Sequence, residues 1–98
     1  MTKLDVKYTV NASTSLKEIG QFTQARWGKK KRKNYLSCIK ESVHLIRPDI
    51  GAVRGDVLKG MRSYPCLEHV IYYRHFENTL IVIDVLHHRM DPCRLHSR

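Results

Sequence analysis

The feature that most constrains the fold is a pair of strand-forming segments within residues 67–91. Residues 69–76 and 79–86 are both rich in β-branched and aromatic side chains, which favour strands. The polar pair Glu77-Asn78 separates the two segments, and asparagine can adopt the positive φ that tight hairpin turns require. We therefore predict an antiparallel β-hairpin in this part of the chain.

The register of this hairpin decides which side chains share a face. With Phe76 opposite Thr79, the ladder is expected to pair Tyr72 with Ile83 and Val70 with Val85. The face expected to meet the helices is nearly all apolar: Val70, Tyr72, Arg74, Phe76, Ile81, Ile83 and Val85. The other face mixes apolar and titratable groups and is expected to be half core and half site: His69, Ile71, Tyr73, His75, Leu80, Val82, Asp84 and Leu86. A slip of one residue would exchange the two faces.

A strand and a helix are predicted before the hairpin. Residues 4–10 alternate apolar and polar side chains, which is typical of a half-buried strand. The first helix is expected to begin at Ser15, which has capping-box spacing with Glu18, or earlier near Ala12. It should end at Gly28, because glycine is a common helix stop. Its apolar positions recur at helical spacing: Leu16, Ile19, Phe22 or Thr23, and Trp27.

A second helix is predicted over residues 29–46, with a stripe formed by Tyr35, Leu36, Ile39, Val43 and Ile46. Residues 47–56 are expected to form a loop, and residues 57–64 a strand that is interrupted at Gly60 and ended by Pro65. The predicted order is β-α-α-β-β-β. This order indicates an α+β fold in which a helical hairpin covers one face of a small, mostly antiparallel sheet, whose last three strands form a meander.

Length and composition favour a single domain over residues 1–98, with residues 92–98 as a flexible basic tail. No apolar run has membrane-spanning length, and no signal-peptide pattern follows the first residues. We therefore expect a cytoplasmic protein without a membrane partner. The 18 Lys and Arg residues exceed the 9 acidic residues and give a net charge of +9. This excess favours nucleic acids, nucleic-acid-bound enzymes or acidic proteins as partners.

The three cysteines, Cys38, Cys66 and Cys93, are widely spaced. Their odd number and the absence of a CxxC pair predict free thiols in a reducing compartment. A zinc site built from His87, His88, Cys93 and His96 is disfavoured, because the sequence offers no second ordered pair of ligands. We expect no metal and no cofactor.

Taken together with particular residues, this order of elements resembles the ParE/RelE superfamily of bacterial toxins from Tyr8 to Asp91. The residues that match its helices are Ala12, Leu16, Ile19, Trp27, Gly28, Tyr35, Ile39 and Ile46, with Pro48 and Gly51 at the exit of the second helix. The residues that match its later strands are Gly60-Met61-Arg62, residues 69–74 and residues 85–91. The ending V-L-H-H-R-M-D is most similar to the ParE branch.

The resemblance to ParE implies an inhibitory binding protein, not an enzyme, that traps the cleaved complex of DNA gyrase and blocks replication. It also implies a cognate ParD-like antitoxin, whose C-terminal segment wraps the toxin in a hetero-oligomer. The alternative is a ribosome-dependent mRNA endoribonuclease of the RelE or YoeB type. A third alternative is a general nucleic-acid-binding module that uses the basic run from Lys29 to Lys33.

Metal-free RNA cleavage requires a base, an acid and cations near one phosphate. The residues that could supply these roles are Arg62, His69, Arg74, His87 and His88. The nuclease branches usually end with a tyrosine, whereas this chain has none after Tyr73. Structural roles are the alternative for these side chains. His69 could bond across strands near Asp84, and His87 could cap a strand end. The arginines, Arg62 and Arg74, could instead pair with acidic residues, namely Glu68, Glu77 or Asp84.

Two further sets of residues are candidates for binding surfaces. The residues expected to contact the target are Arg62, His87, His88, Arg89, Lys29, Lys30, Lys31, Arg32 and Lys33. The residues expected to contact the antitoxin are Leu16, Ile19, Tyr35, Ile39 and Tyr73. The first set is cationic and the second is apolar or aromatic, so the two sets predict different kinds of contact.

Overall fold

A computed structural model describes residues 5–46, 52–53 and 60–90 of the chain. Its elements are β1 (Asp5–Tyr8), α1 (Val10–Trp27), α2 (Lys29–Leu45), β2 (Ala52–Val53), β3 (Arg62–Cys66), β4 (His69–Phe76) and β5 (Thr79–His87). The five strands form one sheet in the order β1-β5-β4-β3-β2. The predicted α+β class and the strand–helical hairpin–meander order are confirmed. The predicted tail, together with Cys93 and His96, lies outside the described residues.

The sheet is antiparallel except at one edge. β1 pairs in parallel with β5, because the helical hairpin carries the chain over the sheet before the meander begins. β2 lies within the segment predicted to be a loop, and within the described residues its partners are Arg62 and Ser63 of β3. Neither of the two described helices has the length and apolarity that a bilayer-spanning helix needs.

The prediction that Pro65 ends the strand expected over residues 57–64 is wrong, since Pro65 pairs with Val70 inside β3. Proline lacks a backbone N–H and is tolerated at a sheet edge. At Pro65 the side of β3 away from β4 has no described neighbour. Of the predicted strand over residues 57–64, residues 57–59 lie outside the described part of the chain.

α1 begins at Val10, so the predicted start at Ser15 is wrong and the alternative start near Ala12 lies within two residues of the observed one. Thr9 is the N-cap, and its Oγ1 accepts a hydrogen bond from the Ala12 N–H at 3.0 Å. The same hydroxyl donates to the Ile83 carbonyl at 2.6 Å and ties the start of α1 to β5. Ser15 is instead buried in the second turn, where its hydroxyl donates to the buried Asp84 carboxylate at 2.5 Å. Gly28 ends α1 as predicted.

The hairpin register follows the prediction from the turn as far as Tyr73 and then changes. Tyr73 pairs with Val82, but Tyr72 pairs with Asp84, because a bulge leaves Ile83 without a partner in the ladder. The predicted pairs Tyr72–Ile83 and Val70–Val85 are therefore wrong by one residue. In the turn itself, Glu77 and not Asn78 adopts positive φ, at 54°, so the prediction for Asn78 is wrong.

The predicted assignment of faces is also wrong. The helices pack on the face that carries Ile71, Tyr73, Leu80, Val82 and Val85. This is the face that was predicted to mix apolar and titratable groups. Its histidines, His69 and His75, lie near opposite ends of β4, so the centre of the face is apolar enough to form the core. The bulge brings Val85 to the same side. The opposite face holds a smaller cluster made by Met61, Tyr72 and Leu86, with Val70, Ile83 and Met90 packed against it.

Most residues of the predicted helical stripes pack into the core, and Trp27 of α1 is the exception; of the alternatives Phe22 and Thr23, the structure buries Thr23. Ile39 and Val43 of α2 are buried, as are Leu16, Ile19 and Thr23 of α1. In contrast, Phe22 and Trp27 are exposed. The core therefore fills the space between the helical hairpin and the centre of the sheet, and it leaves the turn of the hairpin with aromatic side chains in solvent.

Candidate functional site

Two grooves flank the helical hairpin. The first, which we call the hairpin-tip groove, has a volume of about 380 Å³ and is lined by Phe22, Thr23, Trp27, Lys31, Tyr35, Glu68, His69 and His87. The second, the β1-side groove, has a volume of about 350 Å³ and is lined by Tyr8, Ser13, Leu16, Lys17, Arg32, Leu36 and Lys40. The first lies between the turn of the helices and the sheet end where β4 begins and β5 ends. The second borders the edge strand β1.

The floor of the hairpin-tip groove is a network centred on Tyr35. The Tyr35 hydroxyl accepts a hydrogen bond from the Glu68 N–H at 3.2 Å and lies 2.7 Å from His69 Nδ1. Every group is satisfied if the hydroxyl donates its single proton to Nδ1. This arrangement assigns neutral His69 the tautomer in which Nε2 carries the proton.

The His69 ring is held in its neutral form. Burial, together with the neighbouring imidazoles His87 and His88, lowers the pKa of His69 from its usual 6.5 to about 4, and Glu68 only partly opposes this shift. Burial likewise raises the pKa of the Tyr35 hydroxyl. Near neutral pH this pair therefore presents hydrogen-bond donors and acceptors without net charge.

The end of β5 adds two more imidazoles. His87 lies edge-on to His69, with ring centroids 5.4 Å apart, and it stacks on His88 at 4.4 Å. His87 Nδ1 accepts the Arg89 N–H at 3.2 Å, which confirms the prediction that His87 caps a strand end. His88 pairs with Glu68, Nε2 to Oε2, at 3.1 Å. The predicted contact of His69 with Asp84 is wrong, because His69 lies opposite His87 and bonds to Tyr35, whereas Asp84 lies three residues along the ladder, opposite Tyr72.

Glu68, His87 and His88 bring three ligand-type atoms within 4.8 Å of one another. Metal ligands normally direct their lone pairs toward one point. Here the two imidazoles are stacked, and Nδ1 of His87 already accepts a backbone N–H. This geometry is a poor fit to a metal centre. The other zinc candidates, Cys93 and His96, lie outside the described residues.

The five residues proposed for RNA cleavage do not meet at one place. His69, His87 and His88 form a cluster at one end of the β4–β5 ladder. Arg62 is half-buried and pairs with Tyr73, four residues along β4 from His69, and Arg74 lies one residue farther. At the rise of an extended strand, these arginines are about 13–17 Å along the sheet from His69. One phosphate could not contact the whole set.

The candidate target-binding cations also separate into groups. Arg89 is exposed in the turn after β5, beside the histidines, whereas Arg62 lies near the other end of the ladder. Within the basic run, Arg32 turns inward, and its Nη1 donates to Gln24 Oε1 at 2.7 Å. The lysines of the run are exposed, and Lys31 lines the hairpin-tip groove.

The candidate antitoxin-binding residues are mostly core residues. Ile39 and Tyr73 are completely buried between helices and sheet, so in this fold they offer no surface to a partner. Ile19 is buried as well. Leu16 lines the β1-side groove and Tyr35 lines the hairpin-tip groove, so these two retain a place at a surface.

Sequence reasoning missed the exposed aromatic pair Phe22 and Trp27, and it also missed Glu68. The available signal was the adjacency of Phe22 and Thr23 at helical spacing, because only one of two neighbouring residues can face the core. Thr23 is buried, and its hydroxyl donates to the Ile19 carbonyl at 2.8 Å, so Phe22 faces solvent.

Comparison with known proteins gives concordant matches. The family model described as "ParE toxin of type II toxin-antitoxin system, parDE" matches residues 6–92. The proteins named Toxin ParE1 from two strains of Mycobacterium tuberculosis, CDC 1551/Oshkosh and H37Rv, are each 33% identical over 86 residues, covering 85% of this chain and 88% of the relative. A solved structure described as the chromosomal ParDE TA system from P. aeruginosa has the same fold. Its TM-score is 0.72 at 18% identity, with 87% of this chain and 96% of that chain covered.

Proposed function

The chain belongs to the family of ParE toxins of type II toxin–antitoxin systems, and from this we propose that it inhibits DNA gyrase by trapping the cleaved DNA–enzyme complex. The observation that carries the proposal is the family match over residues 6–92. Gyrase acts on chromosomal DNA, so this target would place the toxin in the cytoplasm. We propose a binding inhibitor and not an enzyme.

Surface chemistry supports a binding role near the end of β5. Arg89 and His88 are exposed there, beside the hairpin-tip groove, and they could contact acidic or phosphate groups of a DNA–enzyme complex. The separation of Arg62 and Arg74 from the histidines weighs against a shared nucleolytic centre. Ribosome-dependent cleavage of mRNA is therefore the less favoured function.

We further propose that a ParD-like antitoxin places an acidic segment in the β1-side groove. Lys17, Arg32 and Lys40 surround the apolar side chains of Leu16 and Leu36 in this groove. The described part of the sheet ends at β1 on this side, so an extended segment could add a strand to that edge. A basic apolar groove beside an open edge matches an acidic segment that folds on binding.

Two assays test the gyrase proposal. In one, purified protein is added to gyrase, ATP and closed circular DNA, and in the other it is added to programmed ribosomes. We expect double-strand breaks to accumulate in the first assay and the message to remain intact in the second. Cleaved message with normal supercoiling would refute the proposal and identify the histidine cluster as the candidate acid–base group.

Variants locate the contact surface. Arg89→Ala and Arg62→Ala should each weaken gyrase inhibition while preserving the fold. Lys7→Ala is the matched control, because Lys7 is an exposed cation on the edge strand β1. β5 and β4 separate this strand from β3, and it pairs with the start of β5, whereas Arg89 follows the end of β5. If both arginine variants inhibit like the wild type, the strand-end cations are not the contact surface.

A further inference from the structure

Two large aromatic side chains are exposed where the helical hairpin turns. Phe22 is 60% exposed and Trp27 is 59% exposed, and their rings lie edge to face with centroids 6.4 Å apart. The Arg26 guanidinium is 5.6 Å from the Phe22 centroid and 5.4 Å from that of Trp27. Aromatic rings combined with a guanidinium form a surface on which a flat π-system can stack.

This aromatic surface adjoins a dense positive charge. Lys29, Lys30, Lys31 and Lys33 are exposed in the first turns of α2. The first turn of α2 contains no acidic residue, and the cap, Gly28, supplies no side-chain hydrogen bond to the helix end. Lysines here oppose the helix macrodipole, and this cost is offset if an anion binds beside them.

The groove between these features offers hydrogen-bond donors from two imidazole rings. In the Tyr35 network Nδ1 of His69 accepts a hydrogen bond, so the Nε2–H of His69 is the ring's donor. Nδ1 of His87 accepts the Arg89 N–H, so Nε2–H is the donor of the His87 ring as well. Glu68 is the acidic residue among the described lining residues, and it is paired with His88. The groove therefore combines aromatic faces, donors and one cation, Lys31.

We propose that the hairpin-tip groove binds single-stranded nucleic acid. An unpaired base stacks on Trp27, and the backbone phosphates lie along Lys31 and the neighbouring lysines, as in other proteins that combine cationic grooves with aromatic platforms. A duplex keeps its bases stacked inside and cannot use the indole, and an acidic polypeptide would use the lysines but not the ring. This activity goes beyond gyrase inhibition and does not depend on it.

Trp27 is the only tryptophan in the chain, so its fluorescence reports directly on the groove. We expect an oligothymidylate of about ten nucleotides to quench this fluorescence. If about three phosphates are contacted, affinity should fall about 20-fold between roughly 50 and 200 mM salt. A duplex of the same length and polyglutamate are the competing ligands, and both should bind more weakly.

Variants separate stacking from charge, with binding measured by the anisotropy of a labelled oligothymidylate. Trp27→Leu should weaken binding about tenfold, since stacking on one aromatic ring carries about that much affinity. Lys31→Gln should weaken it severalfold and reduce the salt dependence. Lys7→Gln is the matched control, because Lys7 is an exposed cation on β1 that lines neither of the two grooves, and its variant should bind like the wild type.

Circular dichroism establishes that each variant is folded. Three results would each overturn the proposal: no quenching at low salt, wild-type binding by folded Trp27→Leu, or polyglutamate or duplex binding as tightly as the single strand. Preferred binding of polyglutamate would assign the groove to an acidic polypeptide instead. None of these outcomes bears on the gyrase assay, which uses separate components and a separate readout.

Discussion

Acidification should destabilise the protein through His69. Its pKa is lowered from 6.5 to about 4 in the folded chain, so between these pH values the unfolded chain binds the proton and the folded chain does not. The stability that His69 contributes is therefore complete above about pH 6.5, falls as the pH approaches 4, and changes no further below that. The charged or titratable groups that face it are Tyr35 from α2, Glu68 from the turn before β4, and His87 and His88 from the end of β5.

The magnitude follows from the shift. At pH 5 the full effect would cost about 2 kcal/mol relative to neutral pH. His69 is only half-buried, so solvent screening should reduce this cost to about 1 kcal/mol. Because other groups also titrate, the quantity to compare is the stability gap between the wild type and His69→Gln, a variant that keeps a hydrogen-bond acceptor for Tyr35 but does not titrate.

Urea denaturation at pH 7.5 and at pH 5.0 measures this gap. We expect His69→Gln to be less stable than the wild type at pH 7.5 and the gap to shrink by about 1 kcal/mol at pH 5.0. His44→Gln, which removes an exposed imidazole near the end of α2, is the matched control. The reasoning is refuted if both variants show the same pH dependence, or if the gap for His69→Gln widens on acidification.

Two further substitutions test local features of the fold by the same denaturation assay. Ser15→Ala should cost about 2 kcal/mol, because it removes a hydrogen-bond donor from the buried Asp84 carboxylate; Ser13→Ala, at an exposed position of the same helix, should cost far less, and equal costs would contradict the assigned role. Glu77→Gly should stabilise by about 0.5–1 kcal/mol, because Glu77 has positive φ. Asn78→Gly in the same turn should give no such gain, and a gain there would contradict the assignment of strain to Glu77.

The element order was predictable because each helix and strand carries its own periodic pattern. The hairpin turn, the stop at Gly28 and the α2 stripe are local signals, and the structure confirms them. The choice of face was not predictable in the same way. It depended on a bulge at Ile83 in β5, and a bulge is set by packing against other elements and leaves little trace in the strand sequence.

In the candidate site too, features set by the local sequence were predictable and contacts between distant residues were not. The histidines were identified because His69, His87 and His88 lie near strand ends, and the register brings them together. The role of Tyr35 was missed, since its contact with His69 joins residues 34 positions apart. Ile39 and Tyr73 were assigned to a partner because the sequence shows that they are apolar but not which apolar residues the fold itself covers.

The lysines at the start of α2 lower the stability of the helix and lie beside the hairpin-tip groove, so one substitution can test their effects on stability and on binding separately. Lys30 is the second residue of α2, where a cation opposes the helix macrodipole and an anion would favour it. Lys30→Glu should therefore stabilise the protein by about 0.5 kcal/mol and at the same time weaken oligothymidylate binding and lower its salt dependence. Lys40→Glu makes the same change of charge in the interior of the same helix, away from the helix end and outside the hairpin-tip groove. It should therefore change neither the stability nor the oligothymidylate binding. If Lys30→Glu gains stability but binds the oligonucleotide like the wild type, the basic run is a solvated helix face and the lysines do not serve the groove.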